Sequence, residues 1–148
     1  MLVKIKQGEN SIKSENKKKK EYLKQYRKHK KRIKRIESEI EEIRSMKMYP
    51  SMNNDGMPHG SNQSDLSSYA AILQEREDEL YEEGVKRVET YKDIECKINQ
   101  LTNPEEKDVL FYIYIKGLDF WEIGQILGYS ERWIHKLHGD ALKKIQIN

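Results

Sequence analysis

The residues best suited to specific chemistry lie close together after Ser130: Glu131, Arg132, Trp133, His135 and Lys136. Arginine can bond guanine through both O6 and N7, glutamate can accept from the cytosine amino group, and lysine can reach a phosphate or guanine. If Ser130 caps a helix there, its free N–H groups also favour a phosphate. This is the chemistry of recognition, and bond-making alternatives are poorly supplied. His59 lies near Asp55 in a glycine- and proline-rich stretch, a weak basis for general-base catalysis. His135 and His138 fall three apart and could bring two imidazoles to a metal. With Cys96 the one cysteine in the chain, they read instead as surface or DNA-facing histidines. No glycine-rich phosphate loop, nucleophile elbow or catalytically spaced carboxylate pair occurs. The expectation is a non-enzymatic protein with no catalytic residue, no metal and no cofactor.

A helix-turn-helix would have to position those side chains. Asn103-Pro104-Glu105-Glu106 combines a capping asparagine, a proline suited to the first helical position and a glutamate placed to close a capping box. The helix it opens runs through Val109, Leu110, Ile113 and Tyr114 to Lys116-Gly117, where glycine can terminate it in the left-handed conformation. Asp119 with Glu122 predicts a second box opening a short helix from Phe120 to Leu127, which Gly128 ends. Ser130 then caps a last helix whose Ile134, Leu137, Ala141, Leu142 and Ile145 form an inward stripe. Two helices joined by so short a glycine turn present the second to the major groove. Trp121 and Trp133 read as helix-packing residues before base-stacking platforms, although Trp133 stands among the outward candidates.

The run FWEIGQILGYSERWIHKLHGDALKKI resembles the DNA-reading fourth region of bacterial sigma factors. Glu122, Ile123, Gly124, Leu127, Gly128, Ser130, Ile134, Ala141, Leu142 and Ile145 carry the pattern. The wider layout, from about residue 21 onward, resembles phage-encoded sigma-like regulators of the RinA and ArpU late-gene type: a KQYRKHKKRIKRIESEIEEIRS helix, a DGMPHGSNQSDL loop, then this module. The resemblance implies promoter DNA binding, contact with RNA polymerase, and base reading by Glu131, Arg132, His135 and Lys136. Glu131 and His135 stand where sigma factors usually carry arginine, and Gly124 where they carry alanine.

The preceding residues predict an all-α support. Tyr22, Tyr26, Ile33, Ile36, Ile40 and Ile43, with His29 in the intervening slot, recur at helical spacing between Glu21 and Met48. Residues 49–65, YPSMNNDGMPHGSNQSD, read as a loop. Ser64 or Asp65 can cap a second helix marked by Leu66, Tyr69, Leu73, Leu80, Val88, Tyr91, Ile94, Ile98 and Leu101. Folded back, the two helices pair Lys30 and Lys31 with Glu82 and Glu83, Arg35 with Asp78, Ile33 with Leu80, and Ile40 with Leu73. This predicts a long antiparallel hairpin, a coiled coil in type, while a parallel homodimer through either seam satisfies the same periodicity. Gly84 weakens the second helix without evident reason. The expected division is a flexible arm over 1–15, a hairpin over 16–101, and a sigma-like helix-turn-helix over 102–148.

Composition agrees with a small domain on an extended element. Of 148 residues, 36% are charged and 36% hydrophobic, with a net charge of +3. The charge is uneven: residues 1–47 hold 17 Lys and Arg against 7 Glu, whereas residues 102–148 hold 6 against 7 acidic. The basic block either supplies phosphate contacts or neutralises the acidic second helix. There is no apolar signal segment, no membrane span and no disulfide framework, so a reducing cytoplasm is the expected compartment, and the resemblance to phage regulators implies that of a bacterial host. A double-stranded promoter is the expected partner. A helical adaptor and a phage assembly or packaging subunit are the competing readings.

Overall fold

The computed structural model describes the backbone of residues 2–47 and 62–148 and the side chains of residues 6–46 and 66–148. Its elements are α1 (Leu2–Leu23), α2 (Gln25–Lys47), α3 (Asn62–Asn99), α4 (Pro104–Leu110) continued by a π-helical turn (Phe111–Lys116), α5 (Phe120–Leu127) and α6 (Glu131–Lys144). No strand occurs among the described residues. The fold is all-α, with long helices preceding a C-terminal helix-turn-helix. Two compact units are distinguished: one of residues 1–28 with 88–148, the other of residues 29–87.

In the unit of residues 29–87, α2 and α3 run antiparallel. His29 Nδ1 lies 2.9 Å from Glu83, Arg32 reaches Glu79 at 2.9 Å and Glu83 at 3.2 Å, and Arg44 reaches Glu77 at 2.9 Å. Ile33, Ile36 and Ile40 are buried along the seam, as their spacing predicted. The seam is therefore closed within one chain. The particular charge pairs differ from expectation. His29 and Arg32, not Lys30 and Lys31, face Glu83, and Arg35 turns to Glu39 on its own helix at 3.1 Å instead of to Asp78. The planar imidazole of His29 and the forked guanidinium of Arg32 reach across, while the neighbouring Lys30 and Lys31 do not. Glu83 is buried, and the His29 hydrogen bond, opposed by burial and assisted by Arg32, holds its carboxyl below the ordinary value. Leu66 is exposed despite its helical spacing. The expected loop 49–65 lies outside the described residues as far as position 61, and α3 begins at Asn62, ahead of Ser64 and Asp65.

The other unit contains the expected helix-turn-helix but draws on more of the chain than the expected boundary at residue 102 allowed. Leu23, Tyr26, Ile94, Ile98 and Leu101 share one buried cluster with Leu110, Tyr114, Ile115, Ala141, Leu142 and Ile145. A smaller cluster of Val109, Ile123, Ile134 and Leu137 joins α4, α5 and α6. At ~25 cal/mol per Å² of apolar surface, each fully buried Leu or Ile in these clusters contributes ~1.5–3 kcal/mol. Val88, placed on the same face by its spacing, is 53% exposed. Residues 2–15, expected as a flexible arm, continue α1 without a break. Lys, Glu and Gln are good helix formers, so a segment without apolar periodicity can still extend a helix anchored further along.

The π-helical turn explains how the bulky run Phe111–Lys116 is accommodated. The Gly117 N–H bonds the Tyr112 carbonyl, and the wider spacing lets Leu110, Tyr114 and Ile115 enter one cluster. Gly117 closes it at φ 75, as the sequence predicted.

Candidate nucleic-acid interface

Local hydrogen bonding sets the turn between α5 and α6. Asp119 and Glu122 form both halves of the predicted capping box, each at 2.8 Å. Gly128 takes φ 75, and the N–H groups of Gly128 and Tyr129 both reach the Gly124 carbonyl, at 2.9 and 3.0 Å. The returning chain passes so near α5 that a methyl group on Gly124 would lie 2.6 Å from the Tyr129 carbonyl oxygen. Glycine, where the resembled pattern carries alanine, is thus a requirement of this turn. Ser130 Oγ then accepts from the Trp133 N–H at 3.2 Å and opens α6.

From that cap, Glu131, Arg132, Trp133, His135 and Lys136 all emerge exposed, and Ser130 itself is exposed. Ile134, Leu137, Ala141 and Leu142 face inward from the same helix. Arg132 makes no hydrogen bond or ion pair among the described residues. Lys136 Nζ lies 4.6 Å from the centre of the Trp133 ring, a cation–π contact that orders both side chains at the surface. His135 stacks on Phe120 at 3.9 Å, with planes 14° apart, and its Nε2 lies 3.8 Å from Glu131. The structure therefore brings all six predicted residues to the first turns of one helix. Lys143, also exposed, follows Lys136 by two turns on the same face. Its helical spacing from Arg132 and Lys136 was legible in the sequence but was not singled out there.

Three readings are corrected. His138 does not face outward: it is buried, and its Nε2 is hydrogen-bonded with the Tyr114 hydroxyl at 2.8 Å. Burial, with the nearby Lys20 charge and His135, pushes His138 down to about 4, and burial pushes Tyr114 up to about 12. A neutral imidazole hydrogen-bonded with a protonated phenol fits both shifts. No group of three or more metal-ligating side chains occurs among the described residues. Trp121, expected in a helix interface, is 60% exposed on α5. Glu106 does not close a box with Asn103. Asn103 Oδ1 accepts from the N–H groups of Glu105 and Glu106, while the buried Glu106 carboxylate takes Lys144 Nζ at 2.7 Å. Satisfying a buried charge outweighs the second half of a box.

One contact was missed. Lys19, in the middle of KKKK, is 5% exposed and donates to the Leu142 carbonyl at 2.9 Å, near the C-terminus of α6. Unpaired carbonyls and the negative end of the dipole stabilise a cation there. The available signal was position: Lys19 lies one turn before Leu23 on the face that carries Tyr26 inward.

Residues 99–146 match the family profile of Sigma-70, region 4. Bacteriocin UviA of Clostridium perfringens is 36% identical over 64 residues, covering 43% of this chain and 34% of the relative. The chain thus matches about a third of that curated relative's length. No solved structure matches the chain at a significant level. No described helix is long and apolar enough to cross a membrane. The segment 99–146 is a region-4-like helix-turn-helix, a DNA-binding module of transcription regulation.

Proposed function

We propose that the chain is a sequence-specific transcription regulator that docks the N-terminal turns of α6 in the major groove of promoter DNA. The observation that carries this reading is the exposed set Arg132, His135 and Lys136 beyond the Ser130 cap, above a buried apolar stripe. Arg132 and Lys136 read bases, His135 and Glu131 adjust the choice, and Ser130 fixes the helix end that meets a phosphate. The region-4 match supports an associated contact with RNA polymerase. Together with the layout from residue 21 onward, it supports a phage or prophage late-gene activator working in a bacterial host cytoplasm. The division of labour is a helical hairpin followed by a reading domain. Because Ile33, Ile36 and Ile40 are already buried within one chain, a homodimer through the hairpin would use its outer face, where Tyr81 and Val85 are exposed one turn apart.

The test is random-site selection followed by footprinting with the full chain. A single recovered motif, lost on Arg132→Ala and Lys136→Ala at ~1–3 kcal/mol per base contact, supports the reading. Recovery of no preferred sequence contradicts it.

A further inference from the structure

The module that reads DNA carries too little positive charge to hold a polyanion by itself, since residues 102–148 hold 6 Lys and Arg against 7 acidic residues. Phosphate contacts supply much of the affinity of any duplex-binding protein. The missing charge lies within the same compact unit. Lys19 fastens α1 to the end of α6 through the Leu142 carbonyl. At about 100° per residue, Lys13, Lys17 and Lys20 project from one flank of α1, roughly 100–160° round from Lys19.

All three are exposed, and none has a carboxylate partner among the described residues. Lys24 and Lys28, further along, are held by Glu21 at 3.6 and 3.1 Å. Arg32 and Arg44 of the other unit are likewise taken by glutamates. Lys20, at the end of the row, is near enough to His138 of α6 for its charge to act on the imidazole, one turn after His135. We propose that Lys13, Lys17 and Lys20 form a second contact with double-stranded DNA, gripping backbone phosphates beside the groove that α6 enters. The inference rests on the proposed DNA-binding function and adds the surface that supplies its affinity. Sequence preference stays with α6. The lysine row contributes a sequence-independent grip, and buried Lys19 sets its position instead of touching DNA.

The experiment compares salt dependence for the full chain, K13Q/K17Q/K20Q, and K30Q/K31Q/K34Q, which removes equal charge from the other unit. The probes are the duplex recovered by site selection and an unrelated duplex of equal length. Each phosphate contact contributes ~0.9 to the slope of log affinity against log salt, so loss of three lowers it by ~2.7. That drop is expected for K13Q/K17Q/K20Q alone, with both probes weakened by the same factor and their ratio unchanged. Circular dichroism should show unchanged helicity, since all three side chains are exposed. An unchanged slope, or an equal drop in K30Q/K31Q/K34Q, overturns the inference while leaving α6 recognition intact. If the wild-type chain binds neither probe, the proposed function falls and this inference falls with it.

Discussion

Gly124→Ala should destabilise the protein, although alanine is the better helix former and the position lies within α5. Propensity alone favours the substitution by ~1 kcal/mol. Against this, the added methyl would sit 2.6 Å from the Tyr129 carbonyl oxygen, a backbone atom that no rotamer change can move. That carbonyl belongs to a turn held by the Gly128 and Tyr129 N–H bonds to Gly124 and followed at once by the Ser130 cap. Relief requires moving the start of α6 outward by several tenths of an ångström. Overpacking of this kind costs ~1–3 kcal/mol, which leaves a net loss of up to ~2 kcal/mol after the propensity gain. Gly139→Ala is the matched control, because a methyl there meets nothing within 4 Å and α6 should gain up to ~1 kcal/mol. Urea denaturation followed by circular dichroism should separate the two variants by ~1–3 kcal/mol, the overpacking cost that Gly139→Ala does not incur. Stabilisation by both alanines to a similar degree would refute the reasoning about the turn.

Other perturbations test other contacts. His138 binds a proton less readily folded, at about 4, than unfolded, at about 6.5, so the unfolded chain takes up more protons between those values. Stability is then fully present above pH 6.5 and is lost as pH falls toward 4. Melting at pH 5 should show a deficit of ~2 kcal/mol relative to pH 7, and a His138→Gln variant that kept the full deficit would contradict this assignment. Lys144→Ala leaves the buried Glu106 carboxylate without its cation and should cost ~1–3 kcal/mol, whereas Lys143→Ala, exposed nearby, should change stability by less than ~0.5 kcal/mol. Lys19→Ala strips the Leu142 carbonyl of its donor and should loosen α1 from α6, visible as faster amide exchange over residues 10–20. Unchanged exchange there would show that the bond does not hold α1.

The end caps and the inward stripes were legible because they depend on a few neighbouring residues. Asp119 with Glu122, Ser130, Gly117 and Gly128 each act within one turn of helix, and the α6 stripe repeats a simple period. The seam faces of α2 and α3 were legible from the same kind of period, but periodicity alone left a parallel homodimer open, and the individual ion pairs were not legible. Which of Lys31, Arg32 and Arg35 reaches across depends on the rotation of a helix by tens of degrees, and adjacent basic residues look alike in sequence. Lys19 and His138 show the larger limit. Both are polar residues in polar-looking runs, and both are buried because a distant element happens to cover them: α6 for Lys19, and Tyr114 of the π-helical turn for His138. Gly124 was visible only as a departure from a pattern, and its cause, the approach of Tyr129, needed coordinates.

The outward face of α6 carries the proposed recognition. Its direct measurement is the ratio of affinities for the selected duplex and a scrambled duplex, at fixed salt, for the wild-type chain and Arg132→Ala. The exposed, unpaired guanidinium predicts a ratio that falls roughly 5- to 150-fold, corresponding to ~1–3 kcal/mol, while affinity for the scrambled duplex changes little. Equal weakening on both duplexes would place Arg132 on phosphate and contradict base reading by α6. An unaltered ratio and affinity would remove Arg132 from the interface altogether.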